Sequence, residues 1–272
     1  MTAKISETLQ KLQSTELEIL SAIQKVCENN DITWWLDSGT ALGAMRHQGF
    51  IPWDDDIDIG MLREDYDKFC SIAPLELPKG FSFHNARTEE GFAPLFSKVW
   101  KDGTKFYTHE TIDSHCNQGI FVDVFPYDYI DTSREGLKRK KRMIRAQRLS
   151  YLYHSYHIKV PGKGIVGVIE KAACVVFHVL VKSFLSKKFI INMFDEACRT
   201  IKSSNMVISS AYAYGDPLPV EWMVPTIDLQ FENMTVPCPG EIEKYLENRY
   251  GNWRKLPPEN QRTTHLPLVV EF

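Results

Sequence analysis

The chain has 272 residues, 43% of them hydrophobic and 25% charged, with a formal net charge of −3. That is the profile of a globular protein able to bury about three quarters of its unfolded surface, as one large domain or two small ones. It rules out a chain drawn to nucleic acid by overall charge, and the six cysteines, scattered without a CxxC pair, argue against a zinc ribbon and for reduced structural thiols.

Residues 1–30 hold no apolar run of signal-peptide length, so no secretory leader is expected. Ile5, Leu9, Leu12, Ile19, Ile23 and Val26 instead recur near helical spacing and predict an amphipathic helix packed on the body. A strand is expected over 32–36. Ser38-Gly39 then turns it into a short helix over 41–46, and a loop over 49–53 leads to a second strand at 56–61. A helix over 63–72 should stop at Pro74, and shorter apolar stretches at 81–84, 96–100, 105–108 and 120–125 read as further strands. From about residue 133 the pattern becomes helical, over 133–156 and 165–202, with a turn at 160–164. The final part returns to strands and loops, with one helix over 241–250. The layout is α+β: a mixed sheet core with flanking helices, forming a single domain over 1–272 that carries a helical insertion or lobe at 133–205. The longest apolar run, 172–181, falls short of the ~20 residues that span a bilayer and is expected to be core, so no transmembrane segment is expected.

The chemistry concentrates at Trp53-Asp54-Asp55-Asp56-Ile57-Asp58-Ile59-Gly60-Met61. Alternation along a strand points Asp56 and Asp58 to one side and Ile57 and Ile59 into the core. Paired carboxylates on a rigid strand suit hard divalent cations. Asp123 lies in another apolar run, where an acid is costly unless paired or metal-bound. If its strand lies beside the first, Asp56, Asp58 and Asp123 converge as metal ligands and catalytic groups, with two ions clamping an in-line phosphoryl displacement. Asp54 and Asp55 are expected in a solvated loop or helix cap. Gly39, flanked by Ser38 and Thr40, would let a phosphate approach a helix N-terminus. Arg46 and Lys98 are candidate phosphate contacts, and Trp53, abutting the acidic cluster, is a candidate substrate contact.

Taken together, Leu36-Asp37-Ser38-Gly39-Thr40, Leu42-Gly43-Ala44, Arg46-His47 and the run from Gly49 to Ile59 resemble the signature of the LicD family. The resemblance continues at 119–126, at Tyr250-Gly251, and at Leu256-Pro257-Pro258 with Arg262 and His265. It implies a nucleotidyltransferase-like core, with Asp56 and Asp58 as DxD metal ligands, Asp123 as the third carboxylate, and His265 as a further site residue. The cofactor it implies is Mg2+ or Mn2+. No cysteine spacing supports the zinc element of some fukutin-type relatives. The implied reaction transfers phosphocholine, or another alcohol phosphate, from CDP-choline or a CDP-polyol to a hydroxyl of a cell-surface glycan such as teichoic acid or lipopolysaccharide, releasing CMP. Two other readings stay open: a nucleotidyltransferase proper, and a degenerate non-catalytic glycan-binding scaffold. Between Lys138 and Arg148 stand seven basic residues and no acid, a segment suited to peripheral contact with an anionic membrane or to a plain solvated face. The expected location is cytoplasmic, peripheral at the membrane face if that contact forms, with a lipid-linked glycan among the acceptors.

Overall fold

A computed structural model describes residues 3–108, 111–112, 116–155, 162–262, 264 and 266–272. The N-terminal helix α1 (Ala3–Asn29) turns Leu12, Ile19 and Ile23 to the core. Strand β1 (Trp35–Leu36) follows, then α2 (Ser38–His47), β2 (Asp58–Leu62), α3 (Arg63–Glu76), β3 (Phe81–Asn85), β4 (Ser97–Lys101), β5 (Lys105–Tyr107) and β6 (Phe121–Tyr129). Three helices come next: α4 (Arg134–His154), α5 (Gly164–Phe184) and α6 (Lys187–Cys198). The chain ends with β7 (Met206–Ser209), β8 (Leu218–Pro219), α7 (Val220–Met223), β9 (Ile227–Phe231), β10 (Met234–Cys238), α8 (Ile242–Tyr250) and β11 (Val269–Glu271).

The main sheet runs β1-β2-β6-β4-β3, with β7 joining β6 beyond its contact with β4, and β8 joining β7. Among the described residues β2 and β6 are the one parallel pair; the other pairings are antiparallel, so the sheet is mixed and the class is α+β. β6 lies at its centre and is buried from Phe121 to Asp128. Parallel neighbours need a long connection, here α3 to β5. A hairpin of β9 and β10 locks the segment after α2: the Glu232 carboxylate accepts the Phe50 N–H at 3.0 Å, and the Glu232 N–H donates to the Gln48 carbonyl at 2.8 Å.

Several boundaries differ from the sequence reading. α2 begins at Ser38 rather than 41 because Asp37 caps it, its carboxylate accepting the Ser38 N–H. α3 carries Pro74 in its last turn and ends at Glu76. The helix expected over 165–202 is two, α5 and α6, separated at Leu185-Ser186 where the Ser186 hydroxyl caps α6. The apolar run 172–181 is not core. It belongs to α5, where Val176 is 58% exposed, Val179 55% and Leu180 44%.

Candidate active site

The register of β2 on β6 sets Asp58 opposite Asp123, and the register of β4 on β6 sets Lys98 opposite Asp123 from the other edge. Two acids and a base therefore form one row across three neighbouring strands. Lys98 Nζ lies 2.7 Å from Asp123 Oδ1, with both side chains buried, and 3.1 Å from the centroid of the Phe121 ring. Asp56 stands just before β2, in the loop that also carries Asp54 and Asp55. The pairing reaches back into that loop, since the Asp123 N–H donates to the Ile57 carbonyl at 3.0 Å.

Both backbone groups of Asp58 are fixed. Its N–H donates to the Thr40 hydroxyl at 2.9 Å, and its carbonyl accepts the Asp37 N–H at 2.9 Å. Thr40 thus holds the acidic strand. Asp37, fully buried, accepts from the Tyr127 hydroxyl at 3.0 Å and from Tyr245 as well, anchoring the start of α2 to the sheet and to α8.

The acids outnumber their cation. Burial first, then the charges of Asp54, Asp123 and Asp55, push Asp56 up to about 8, with Lys98 opposing. Burial and then Asp56 and Asp123 hold Asp58 well above the usual carboxylate range. Burial also raises Asp123 against the pull of Lys98. Oxygen-only donors carrying more negative charge than one lysine neutralises have the chemistry of a hard divalent cation site. Among the described residues, however, no three such side chains already surround one point; Asp123 is turned to Lys98.

Not every expected contact joins this row. The Ser38 N–H is spent on Asp37 and the Tyr245 hydroxyl, and its own hydroxyl accepts from Arg249 at 2.9 Å. Over Gly39 stands the Asp54 carboxylate: a Cβ there would lie 2.9 Å from Asp54 Oδ2, so the glycine makes room for an acid. Arg46 is directed away, donating to the Trp253 carbonyl at 2.9 Å and to His47. Trp53 has the Arg262 guanidinium 5.2 Å from its ring centroid, so that cation occupies one face. Asp55 is buried rather than solvated. His265 lies outside the described residues.

The row opens onto a cavity of about 290 Å³ lined by Asp56, Lys98 and Asp123 and by the aromatic rings of Phe96, Phe121 and Tyr212, among others. A larger one, about 440 Å³, lies around Arg63, Tyr66 and Arg199 and holds none of these acids. The aromatic wall was missed from sequence although part was readable: Phe121 precedes Asp123 by two, and Phe96 precedes Lys98 by two, the spacing that puts side chains on one face. Glu16 was missed too. It interrupts the apolar stripe of α1, is buried with Oε2 unpartnered, and is raised well above its usual range by burial and then by Asp56, Asp55 and Asp54. Gln13, one turn earlier, donates to the Asp54 carbonyl at 2.9 Å, so α1 closes over the acidic loop.

Comparison with known proteins bears on this geometry. Residues 31–160 match the family described as LicD/FKTN/FKRP, nucleotidyltransferase domain. The lipopolysaccharide cholinephosphotransferase LicD of Haemophilus influenzae is 27% identical over 262 residues, 95% of this chain and 96% of that protein. The mouse (Mus musculus) ribitol 5-phosphate transferase FKRP is 30% identical over 105 residues, 38% of this chain and 18% of that protein. Mouse FKTN, a ribitol-5-phosphate transferase, is 39% identical over 105 residues, 38% of this chain and 22% of that protein. The match to those two covers a small part of their length. These relatives are phosphotransferases. Over residues 31–160 this chain matches the domain of the LicD family, and over nearly its whole length it is similar to a LicD cholinephosphotransferase.

Proposed function

We propose that the chain transfers phosphocholine, or a related alcohol phosphate, from a CDP-linked donor to a hydroxyl of a cell-surface glycan, with release of CMP. The support that carries this reading furthest is the row of Asp58, Asp123 and Lys98 across β2, β6 and β4, with Asp56 beside it at an aromatic-lined cavity. Such a row suits a reaction in which phosphate charge must be held against fixed groups. The names of the relatives supply the alcohol phosphates, choline phosphate and ribitol phosphate.

In this reading Asp56, Asp58 and Asp123 would hold magnesium or manganese, which when bound supplies the positive charge that phosphoryl transfer needs. Lys98, held between Asp123 and the Phe121 ring, keeps a fixed positive charge at the edge of the donor site. A glycan hydroxyl attacks the phosphorus bearing the alcohol. The new O–P bond forms as the bond to the CMP phosphate breaks, and CMP leaves with that electron pair. The proton of the attacking hydroxyl passes to a carboxylate of the row, in this reading Asp123. The mixed sheet with its acids on adjacent parallel strands agrees with a nucleotidyltransferase-like ancestry. A nucleotide donor puts the reaction on the cytoplasmic side.

Calorimetry with CDP-choline, CDP-ribitol, CTP and ATP, each with magnesium, tests the reading. Saturable binding of a CDP-alcohol in preference to the triphosphates is expected. Preference for CTP or ATP, with pyrophosphate released, would make the chain a nucleotidyltransferase proper, and binding of none would leave a scaffold.

A further inference from the structure

We propose that α5 is a membrane-docking helix that lies in the surface of an anionic lipid bilayer. Its mean hydropathy reaches 2.0, yet only 11% of its most apolar stretch is buried. Ile165 is 81% exposed, Val168 67% and Ile169 62%, and the apolar surface continues through Val176, Val179 and Leu180. At ~100° per residue these side chains fall within an arc of about 200°, in which Ser183 is the one polar member. Gly167, His178 and Val181 fall on the opposite side, against the body: His178 Nδ1 is 2.7 Å from the Leu152 carbonyl, and Gly167 and Val181 are buried. An ordinary surface helix of a soluble protein has the reverse polarity, apolar side in and charged side out. A continuous exposed face of this size marks an interaction surface.

Three observations select a bilayer as the occupant. The first is charge. Lys141, Arg142 and Arg145 are exposed on α4, the helix against which α5 packs, beyond a Lys138 that pairs with Glu135, and Lys171, Lys182 and Lys188 are exposed on α5 and just after it. A second copy of the chain on this face would bring those like charges together, whereas anionic headgroups attract them. The second is topology. α4 and α6, which flank α5 in sequence, pack on each other, so the chain returns to the side it left and α5 lies along the surface rather than crossing it. The third is position. The Leu152 carbonyl that receives His178 is next to Tyr151, which lines the acidic cavity, and Lys187 and His154 both bond the backbone of Glu90, next to the cavity wall at Gly91. Docking through α5 therefore brings the cavity near the lipid surface, where a lipid-linked acceptor would be presented; that last consequence rests on the proposed function, while the docking itself does not.

The basic segment is accordingly an auxiliary rather than the anchor. Arg139, its second residue, is not available at all, being buried and bonded to the Ala197 and Cys198 carbonyls.

The test is flotation of the full chain with vesicles of phosphatidylcholine alone or mixed with phosphatidylglycerol, at low and high salt. Wild type should float with the mixed vesicles, more weakly but still measurably at high salt. The variant Ile169→Glu/Val176→Glu/Leu180→Glu should float about 1,000-fold less, since each of the three apolar side chains kept out of lipid forfeits roughly tenfold. Those positions are exposed, so the variant should keep the wild-type circular dichroism and melting temperature and bind CDP-choline as wild type does. Lys141→Glu/Arg142→Glu should weaken flotation chiefly at low salt. Equal flotation of wild type and the α5 variant, or no flotation of wild type, would overturn the proposal. So would a wild-type dimer, seen by light scattering without lipid, that the α5 variant abolishes. A chain that floats but binds no CDP-alcohol would keep the docking and remove the donor reading.

Discussion

Asp58 is held through its backbone by Thr40 and Asp37, so its replacement by Asn changes charge while leaving the strand anchored. Asp58→Asn and Asp123→Asn are each expected to lower transfer by about 10²-fold or more, the usual cost of losing a preorganised electrostatic group. They should differ in stability. Asp58→Asn relieves repulsion among buried acids and should raise the melting temperature of metal-free protein, whereas Asp123→Asn strands Lys98 and should lower it. Asp56 gives a pH signature. Its folded value of about 8 lies above its ordinary 3.8, so between the two the folded chain keeps a proton that the unfolded chain has released. Stability of the metal-free protein should therefore fall as pH rises from about 4 to about 8, and Asp56→Asn should flatten that slope in urea melts read across the window.

At the level of elements, the junction of α3 with the central strand rests on a buried ion pair. Arg63 donates to both carboxylate oxygens of Asp128, at 2.8 and 2.6 Å. Asp128→Asn is expected to cost about 3–5 kcal/mol in urea denaturation, because it leaves the guanidinium buried beside a neutral amide. Asp128 is held below its usual range by Arg63 against the effect of burial, so its contribution is full above the ordinary carboxylate value and is lost as pH falls through the lower folded one. Arg63→Met should remove that acid-side loss. Elements of this kind were unevenly legible in the sequence. The alternation of Ile57 and Ile59 with the acids revealed β2, though regular pairing starts at Asp58 and leaves Asp56 in the loop. Nothing local announces that β4 will slot against β6 with Lys98 facing Asp123, because register across sequence-distant strands is a tertiary outcome. Ser186 was a readable helix cap inside the long helical stretch. Tyr212 reaches the cavity from a loop with no periodic signal.

For the whole molecule, α5 is the case in which sequence pattern misled. Its apolar run was measured from Ala172, which made it ten residues long and suggested core, but the helix starts at Gly164 and turns its apolar side to the outside. Apolar periodicity states which face is greasy and leaves open what covers it. The acidic row, α1 closing over it through Gln13 and Glu16, and the aromatic wall form the part of the molecule where charge is concentrated, as the proposed chemistry needs. The measurement that tests it most directly is CMP release from CDP-choline by wild type and Asp58→Asn, with a glycan acceptor, in magnesium and in EDTA. Release of CMP without pyrophosphate by wild type in magnesium, and near-background release in EDTA or by Asp58→Asn, is the predicted result; release at the wild-type rate by Asp58→Asn or in EDTA would contradict the account.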